Sequence, residues 1–209
     1  MSGKSPAIRL DGLTRDFGER TALAGIDLEL DAGATLAVLG ANGSGKTTLL
    51  RVLAGLLRPS SGEVSVLGCA LPDETWRLRG RVGYVGDEPL LYRDLSAREN
   101  LTLAARLHGL ERAHAEERIE TLLATVELNP RADDRLAEFS AGMAQRVAIC
   151  RAVLHGPELL LLDEPESHLD TRARELVGGL IGPSTGRTRV VVGHDRTRAL
   201  ADADLALEL

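Results

Sequence analysis

The sequence has 209 residues, of which 44% are hydrophobic, so the chain can bury a substantial core and extended disorder is excluded. Its formal net charge is −6, and no Lys/Arg block is interleaved with aromatic residues, so we expect no nucleic-acid partner. No apolar run approaches the roughly 18 residues of a membrane span, and residues 1–6 lack the apolar segment of a signal peptide. These features predict a cytoplasmic protein that reaches a membrane only through a partner.

The N-terminal part of the chain is predicted to form an antiparallel β layer. Several short segments alternate apolar and polar residues and are separated by turn residues. These segments are 7–10, 13–17, 26–30 and 63–67. A return to a core strand is predicted at 82–85.

A glycine-rich turn follows residues 36–39, an apolar run that predicts a buried parallel strand. The glycines let backbone N–H groups point into a nest, and the helix predicted next directs its positive end at the same place. Lys46 is placed to reach the β- and γ-phosphates of a nucleoside triphosphate, which makes it a candidate catalytic residue, and the Thr47 hydroxyl is placed to ligate Mg²⁺. The predicted nucleotide-binding residues of this phosphate loop are Gly40, Asn42, Gly43, Ser44, Gly45, Lys46, Thr47 and Thr48.

The pattern becomes helical from Ser96. Ser96 and Glu99 have the spacing of a capping box, and leucines at 101, 103, 107 and 110 are interpreted as one apolar face. A second amphipathic helix is predicted at about 113–126. Together they predict a helical block, about 89–157, inserted into an α/β domain.

An apolar run at 159–162 ends in two adjacent carboxylates, Asp163 and Glu164. We expect this strand to lie beside the phosphate-loop strand in a parallel sheet, so that Asp163 emerges at the carboxyl edge where ligands bind. Asp163 is predicted to hold Mg²⁺ directly or through water. Glu164 is predicted to orient or deprotonate the attacking water, which makes it the candidate catalytic base.

Ser140 precedes a further predicted helix. Its side chain is a good N-cap, and Gly142 would let a phosphate approach the backbone closely, so this helix N-terminus suits an anion. One protomer cannot use both this terminus and the phosphate loop. With its motifs in this order, the sequence resembles the nucleotide-binding subunit of an ATP-binding-cassette (ABC) transporter.

The resemblance gives residues 140–143 the place of the signature loop, usually Ser-Gly-Gly-Gln, from which Ala141 and Met143 depart. It implies ATP and Mg²⁺ as cofactors. It also implies a head-to-tail dimer, in which Ser140 and Gly142 of one protomer cap the γ-phosphate held by the phosphate loop of the other. Residues 166–170 resemble the D-loop, which contacts the opposite protomer, and the alternative is a plain helix start capped at Ser167 or Asp170.

Two single residues also match the family. His194, at the end of a strand predicted at 188–192, resembles the switch-loop histidine that contacts the γ-phosphate and is a candidate catalytic residue. Phe17 resembles the aromatic residue that stacks on adenine, and packing in the core is its alternative interpretation.

One residue expected from the family is missing. Between the strand at 82–85 and Pro89 the family normally has Gln, which touches Mg²⁺, and the candidates here are Asp87 and Glu88. The sequence does not choose between them. A carboxylate can still ligate a hard cation, but it adds negative charge near the γ-phosphate. The next residues, 90–92, are apolar and predict either an exposed docking patch for a membrane partner or part of the helical core.

The resemblance implies one α/β domain, residues 1–209, with the P-loop NTPase fold: a mainly parallel sheet, an antiparallel β-subdomain and an inserted helical subdomain. It implies a Mg-dependent ATPase that pairs with a second nucleotide-binding subunit, as a homo- or heterodimer, and drives a separate transmembrane permease at the inner face of the cell membrane. The short length is similar to that of haem-exporter ATPases. A cytosolic ABC ATPase without a transport role and a nucleotide-binding module with weak turnover are the alternative functions.

Overall fold

Two β-sheets and six helices form the described part of the chain, residues 6–193 and 196–209 of a computed structural model. The strands are β1 Ile8–Phe17, β2 Arg20–Leu30, β3 Thr35–Leu39, β4 Ser61–Val66, β5 Cys69–Leu71, β6 Val82–Val85, β7 Leu159–Asp163, β8 Thr188–Val192 and β9 Leu205–Glu208. The helices are α1 Lys46–Leu53, α2 Ala97–Leu107, α3 Arg112–Thr125, α4 Ala141–Val153, α5 Thr171–Ile181 and α6 Arg196–Ala201.

The antiparallel sheet has the strand order β2-β1-β4-β5. The sequence predicted separate strands at 7–10 and 13–17, whereas the structure contains the single strand β1 with an irregular register between Leu10 and Leu13. Gly12 lies at this point with φ +59°, and its N–H donates a hydrogen bond to Asp27 Oδ1 at 2.7 Å. The glycine bends the strand without ending it, because pairing resumes on both sides.

The second sheet is parallel throughout, with the strand order β6-β7-β8-β3-β9. The prediction that the strand of Asp163 lies beside the phosphate-loop strand was wrong, because β8 separates β7 from β3. The carboxyl ends of all three strands still share one edge of the sheet. Helix α1 packs on both β7 and β8, so its first turn reaches Asp163 across the intervening strand.

Strand β7 separates two hydrophobic cores. Leu159 and Leu161 pack with α1 and the antiparallel sheet, whereas Leu160 and Leu162 pack with helices α2 to α5. The division follows from the two-residue period of a strand, which turns alternate side chains to opposite faces. An unbroken leucine run is therefore typical of a parallel strand covered on both sides.

Helices α2, α3 and α4 lie between β6 and β7 in the chain. The capping box predicted for α2 is confirmed: Ser96 Oγ accepts a hydrogen bond from the Glu99 N–H at 3.1 Å, and Glu99 Oε2 accepts one from the Ser96 N–H at 2.8 Å. No helix in the described residues is long and apolar enough to cross a membrane.

The apolar face predicted for α2 was partly wrong. Leu101 is buried, but Leu107 is 76% exposed. An α-helix turns about 100° per residue, so Leu101 and Leu103 lie about 200° apart and cannot belong to one face. The helix instead buries a face of mostly small residues, made of Ala97, Leu101, Ala104 and Ala105.

The buried amide of Asn100, on α2, fixes the loop that leads into this helix. Its Oδ1 accepts a hydrogen bond from the Tyr92 N–H at 2.8 Å, and its Nδ2 donates to the carbonyls of Tyr92 at 3.0 Å and Ser96 at 2.8 Å. This one side chain thus provides hydrogen bonds for backbone groups of the loop that are turned away from water.

We predict that Asn100→Ala lowers the free energy of unfolding by about 2 kcal/mol, because it leaves backbone donors and acceptors of the loop without partners. Urea unfolding followed by circular dichroism measures the change. Arg106→Ala, an exposed substitution on the same helix, is the control and should change stability by less than about 0.5 kcal/mol. Equal unfolding midpoints for Asn100→Ala and wild type would contradict the prediction.

Candidate functional site

The turn between β3 and α1 has the backbone that a phosphate site requires. Gly45, with φ +108°, precedes α1 as its N-cap and provides no side chain to cap the first N–H groups of that helix. A Cβ added at Gly45 would lie 2.3 Å from the Ala22 carbonyl oxygen of β2, so the turn is also packed too closely for any other residue. The open N–H groups and the positive end of α1 suit an anion, so the residues fit the phosphates of a nucleotide.

The Lys46 ammonium is held inside this turn. Its Nζ donates hydrogen bonds to the carbonyl oxygens of Gly40 at 2.9 Å and Ala41 at 2.8 Å. The side chain is nearly buried, and both carbonyls keep its charge directed at the loop.

Asp163 and Thr47 meet where β7 and α1 converge. The Thr47 hydroxyl donates a hydrogen bond to Asp163 Oδ2 at 2.6 Å. Burial raises the pKa of Asp163, and the nearby Asp87 carboxylate raises it further, although the Thr47 hydroxyl, Lys46 and Arg51 act in the opposite direction. Hydroxyl and carboxylate oxygens are hard ligands, so this donor set fits the predicted Mg²⁺.

Glu164 follows Asp163 in a left-handed conformation, with φ +48°. Its N–H donates to the Val192 carbonyl at 2.9 Å, and its own carbonyl accepts hydrogen bonds from the N–H and Oγ of Ser167 at 3.0 and 2.8 Å. Non-glycine residues take this conformation only where the surroundings hold them in it, and such positions concentrate at functional sites.

These residues line one cleft of ≈ 530 Å³, a size typical of small-molecule sites. Of the predicted site residues that the structure describes, Gly40, Ser44, Glu88, Ser140 and Gly142 do not line it. The lining residues are Phe17, Arg20, Ala22, Asn42, Gly43, Gly45, Lys46, Thr47, Thr48, Asp87, Asp163 and Glu164. His194 lies outside the described residues.

Asp87 and Glu88, the two candidates for the missing Gln, are placed differently. Both are exposed, but only Asp87 lines the cleft and lies close enough to Asp163 to raise its pKa, whereas Glu88 is not among the lining residues. The backbone before Asp87 passes close to an aromatic ring, because a Cβ at Gly86 would lie 2.8 Å from Cε1 of Tyr84.

Phe17 lies at the rim of the cleft and is 48% exposed, so the alternative of core packing does not describe it. Arg20, a cleft residue that the sequence analysis missed, pairs with Phe17 across the β1–β2 hairpin. Its Nη2 donates a hydrogen bond to the Gly43 carbonyl at 3.0 Å and ties the hairpin to the phosphate loop. The tight turn between Phe17 and Arg20 was the signal that could have indicated Arg20.

Ser140 caps α4 away from the cleft, its Oγ accepting a hydrogen bond from the Met143 N–H at 3.3 Å. Gly142 has a structural role that the sequence analysis missed: a Cβ there would lie 2.6 Å from the His168 carbonyl oxygen. Gln145, also on α4, donates from Nε2 to the Pro165 carbonyl at 3.1 Å. The start of α4 is therefore packed against residues 165–168. A contact of Ser140 and Gly142 with phosphate stays a prediction.

Within residues 166–170, Asp170 caps α5, accepting a hydrogen bond from the Ala173 N–H at 2.8 Å. The alternative interpretation of this segment, a helix capped at Ser167 or Asp170, is thus present with Asp170 as the cap. The side chain of Glu166 lies 3.9 Å from Nε of Arg174, on α5. Residues 164–168 form the turn that precedes α5, and this turn lies between the cleft and the start of α4.

The sequence matches the ABC transporter family over residues 23–167. The chain therefore belongs to this family, in which an ATP-binding cassette is the defining domain. It is 38% identical over 202 residues to the daunorubicin resistance ATP-binding protein DrrA3 of Streptomyces coeruleorubidus, covering 95% of this chain and 62% of that protein. It is 35% identical over 189 residues to the Nod factor export ATP-binding protein I of Cupriavidus metallidurans, covering 90% of this chain and 62% of that protein.

Solved structures have the same fold. An ATP-binding subunit of an ABC transporter superposes with a TM-score of 0.89 at 30% identity, covering 97% of this chain and 85% of that one. A dimeric post-hydrolysis state of the ATP-binding cassette MJ0796, bound to ADP and Pi, superposes with a TM-score of 0.86 at 28% identity, covering 97% and 94%. The predicted P-loop NTPase fold is confirmed.

The chain spans 62% of the length of the two curated relatives described above. Those relatives are named for drug resistance and for Nod factor export. Neither is named for haem export, so the similarity to haem-exporter ATPases stays a prediction.

Proposed function

We propose that this protein hydrolyses ATP and that the cleft beside α1 is its active site. The observation that carries the proposal is the 2.6 Å contact between Thr47 and Asp163, which brings the two proposed metal ligands together in a cleft that Lys46 and Glu164 also line. Four residues from the first turn of α1 and the end of β7 thus have the chemistry of phosphoryl transfer in one place.

Each residue has a separate task in the proposed reaction. The N–H groups at the start of α1 and the Lys46 ammonium bind and orient the β- and γ-phosphates. Thr47 and Asp163 would hold Mg²⁺, which supplies positive charge to the phosphate oxygens. Glu164 accepts a proton from the attacking water while the water oxygen bonds to the γ-phosphorus. The bond between the γ-phosphorus and the oxygen that bridges it to the β-phosphate breaks, which releases ADP and phosphate.

We further propose that two copies, or this chain and a related one, complete the site. Ser140 is exposed, and neither Ser140 nor Gly142 lines the cleft of its own protomer, so the N-terminal end of α4 can face a second subunit. The dimeric, ADP-bound neighbour in the same fold supports this arrangement.

The third part of the proposal is a transport role at the inner face of the cell membrane, through a separate permease. The names of the relatives, for drug resistance and export, support it. In the loop after Asp87, Leu90 is 52% and Tyr92 62% exposed, whereas Leu91 packs against the helical core. Leu91 therefore fits the interpretation as part of the helical core, and Leu90 and Tyr92 fit the interpretation as an exposed docking patch. We propose Leu90 and Tyr92 as the docking side chains.

We expect Glu164→Gln to keep ATP binding and to lose hydrolysis by about 100-fold or more, because the amide keeps the shape of the side chain but cannot accept the proton. ATP that persists should hold two subunits together, which size-exclusion chromatography with ATP and Mg²⁺ detects. Glu117→Gln, which removes an exposed carboxylate on α3 away from the cleft, is the control and should hydrolyse ATP normally. A monomeric Glu164→Gln variant with wild-type turnover would refute the assignment.

Asp87→Gln should tighten ATP binding at low Mg²⁺ by about 15-fold, which is about 1.7 kcal/mol, the repulsion expected from one unit charge roughly 10 Å from the phosphates at an effective dielectric near 20. The gain should vanish at saturating Mg²⁺, because the cation already offsets the carboxylate. Glu88→Gln is the matched control, since it removes the same charge outside the cleft. Titrating nucleotide affinity against Mg²⁺ for both variants tests the assignment, which fails if the two behave alike.

Tyr92→Glu and Leu90→Glu should leave the ATPase activity of the isolated subunit intact and break co-purification with the permease, because both side chains are exposed. Leu107→Glu, at an even more exposed position at the far end of α2, controls for a new surface charge and should co-purify normally. Leu91→Glu should instead reduce folded yield. Retention of the permease by both Tyr92→Glu and Leu90→Glu would exclude this surface.

A further inference from the structure

The ring of Phe17 contacts a cation as well as the cleft. Phe17 lines the cleft, while the guanidinium carbon of Arg15 lies over the ring, 4.5 Å from its centroid. Arg15 is not among the cleft-lining residues. The guanidinium thus covers one face of the ring without lining the cleft, and the half-exposed ring keeps surface that a molecule in the cleft can contact.

Arg15 is anchored by the protein rather than by solvent. Arg15 and Phe17 are both on β1, and the contact between guanidinium and ring places their side chains together on one side of the strand. Arg15 Nη1 donates a hydrogen bond to the carbonyl of Arg58, beyond the end of α1, at 3.1 Å. Its Nε is buried and has no hydrogen-bond acceptor among the described residues.

The position of the ring relative to the phosphate loop is set separately. Arg20 pairs with Phe17 across the hairpin and donates to the Gly43 carbonyl, as described above. Arg15 therefore contacts the ring itself, whereas Arg20 links the hairpin that carries the ring to the phosphate loop.

We propose that Arg15 is a positioning residue for recognition of the base, acting through Phe17 and not on the phosphates. This inference rests on the proposed ATP site. A half-exposed ring loses rotational freedom when a base stacks on it, and a cation already stacked on one face removes part of that cost before the nucleotide arrives. Arg15 then strengthens binding only of ligands that carry a base.

Inorganic tripolyphosphate carries the phosphate chain of ATP without a base. It therefore distinguishes an Arg15 that positions Phe17 for the base from an Arg15 that simply attracts the phosphate charge. Calorimetric titration with Mg·ATP and with Mg·tripolyphosphate should show that Arg15→Ala weakens ATP about threefold to tenfold, the range of a single cation–π contact, and leaves tripolyphosphate unchanged. Arg9→Ala removes an exposed cation from the same strand, about 20 Å further from Phe17, and should change neither affinity.

A double-mutant cycle shows whether Arg15 acts through the ring. In a Phe17→Ala background, Arg15→Ala should weaken ATP no further, because the residue it positions is gone. Arg15→Lys should restore part of the affinity, since an ammonium keeps the charge over the ring but not the planar contact. Urea midpoints of all variants establish that they are folded.

Equal weakening of ATP and tripolyphosphate by Arg15→Ala would overturn the inference, since the arginine would then act on phosphate charge or on folding. Additive effects of Arg15→Ala and Phe17→Ala would overturn it as well. Failure of the wild-type protein to bind either ligand would contradict the proposed function itself, and is recognisable before any variant is measured.

Discussion

A single hydrogen bond between Thr47 and Asp163 joins two segments that lie 116 residues apart in the chain. Thr47 is on the first turn of α1, and Asp163 is at the end of β7, with β8 between the two strands of the sheet. The bond satisfies a buried carboxylate that would otherwise destabilise the fold, and it fixes where a cation can be held. Lys46 directly precedes Thr47, and Glu164 directly follows Asp163, so this bond helps to position both of them.

The start of α4 depends on a different contact. Gly142 lies against the carbonyl of His168, and Gln145 donates to the carbonyl of Pro165, so this helix and the turn after Glu164 are packed as one unit. A second subunit that contacted Ser140, as proposed above, would therefore press on the backbone that follows Glu164. The contact offers a physical route by which pairing of two protomers affects the residue proposed to accept the proton, without any change in the phosphate loop.

Local patterns were sufficient for much of the fold and for the first turn of α1. The capping box of Ser96, the leucine strand before Asp163 and the glycine spacing before Lys46 each depend on neighbours in sequence, and each is where it was expected. The order of strands in the sheet was not accessible in this way. Pairing β8 between β7 and β3 is a choice among distant segments, and no residue in the three strands signals it.

Residues whose role comes from distant contacts were also missed. Nothing near Gly142 in sequence indicates the carbonyl of His168, and nothing near Arg20 indicates the carbonyl of Gly43. The sequence also could not decide whether Asp87 or Glu88 lies at the cleft. The two are adjacent in a loop, and only the path of the backbone determines which side chain reaches the cleft. The left-handed backbone of Glu164 likewise follows from its hydrogen bonds to Val192 and Ser167, not from the residue type.

The alternation of leucines along β7 has a consequence for how the protein loses its structure. Leu159 and Leu161 belong to the core beneath the phosphate loop, and Leu160 and Leu162 to the core beneath α2 to α5. Melting either core strips one side of this strand and exposes apolar surface that the other core cannot cover. Because the two cores share this strand, we expect them to unfold together as one cooperative unit.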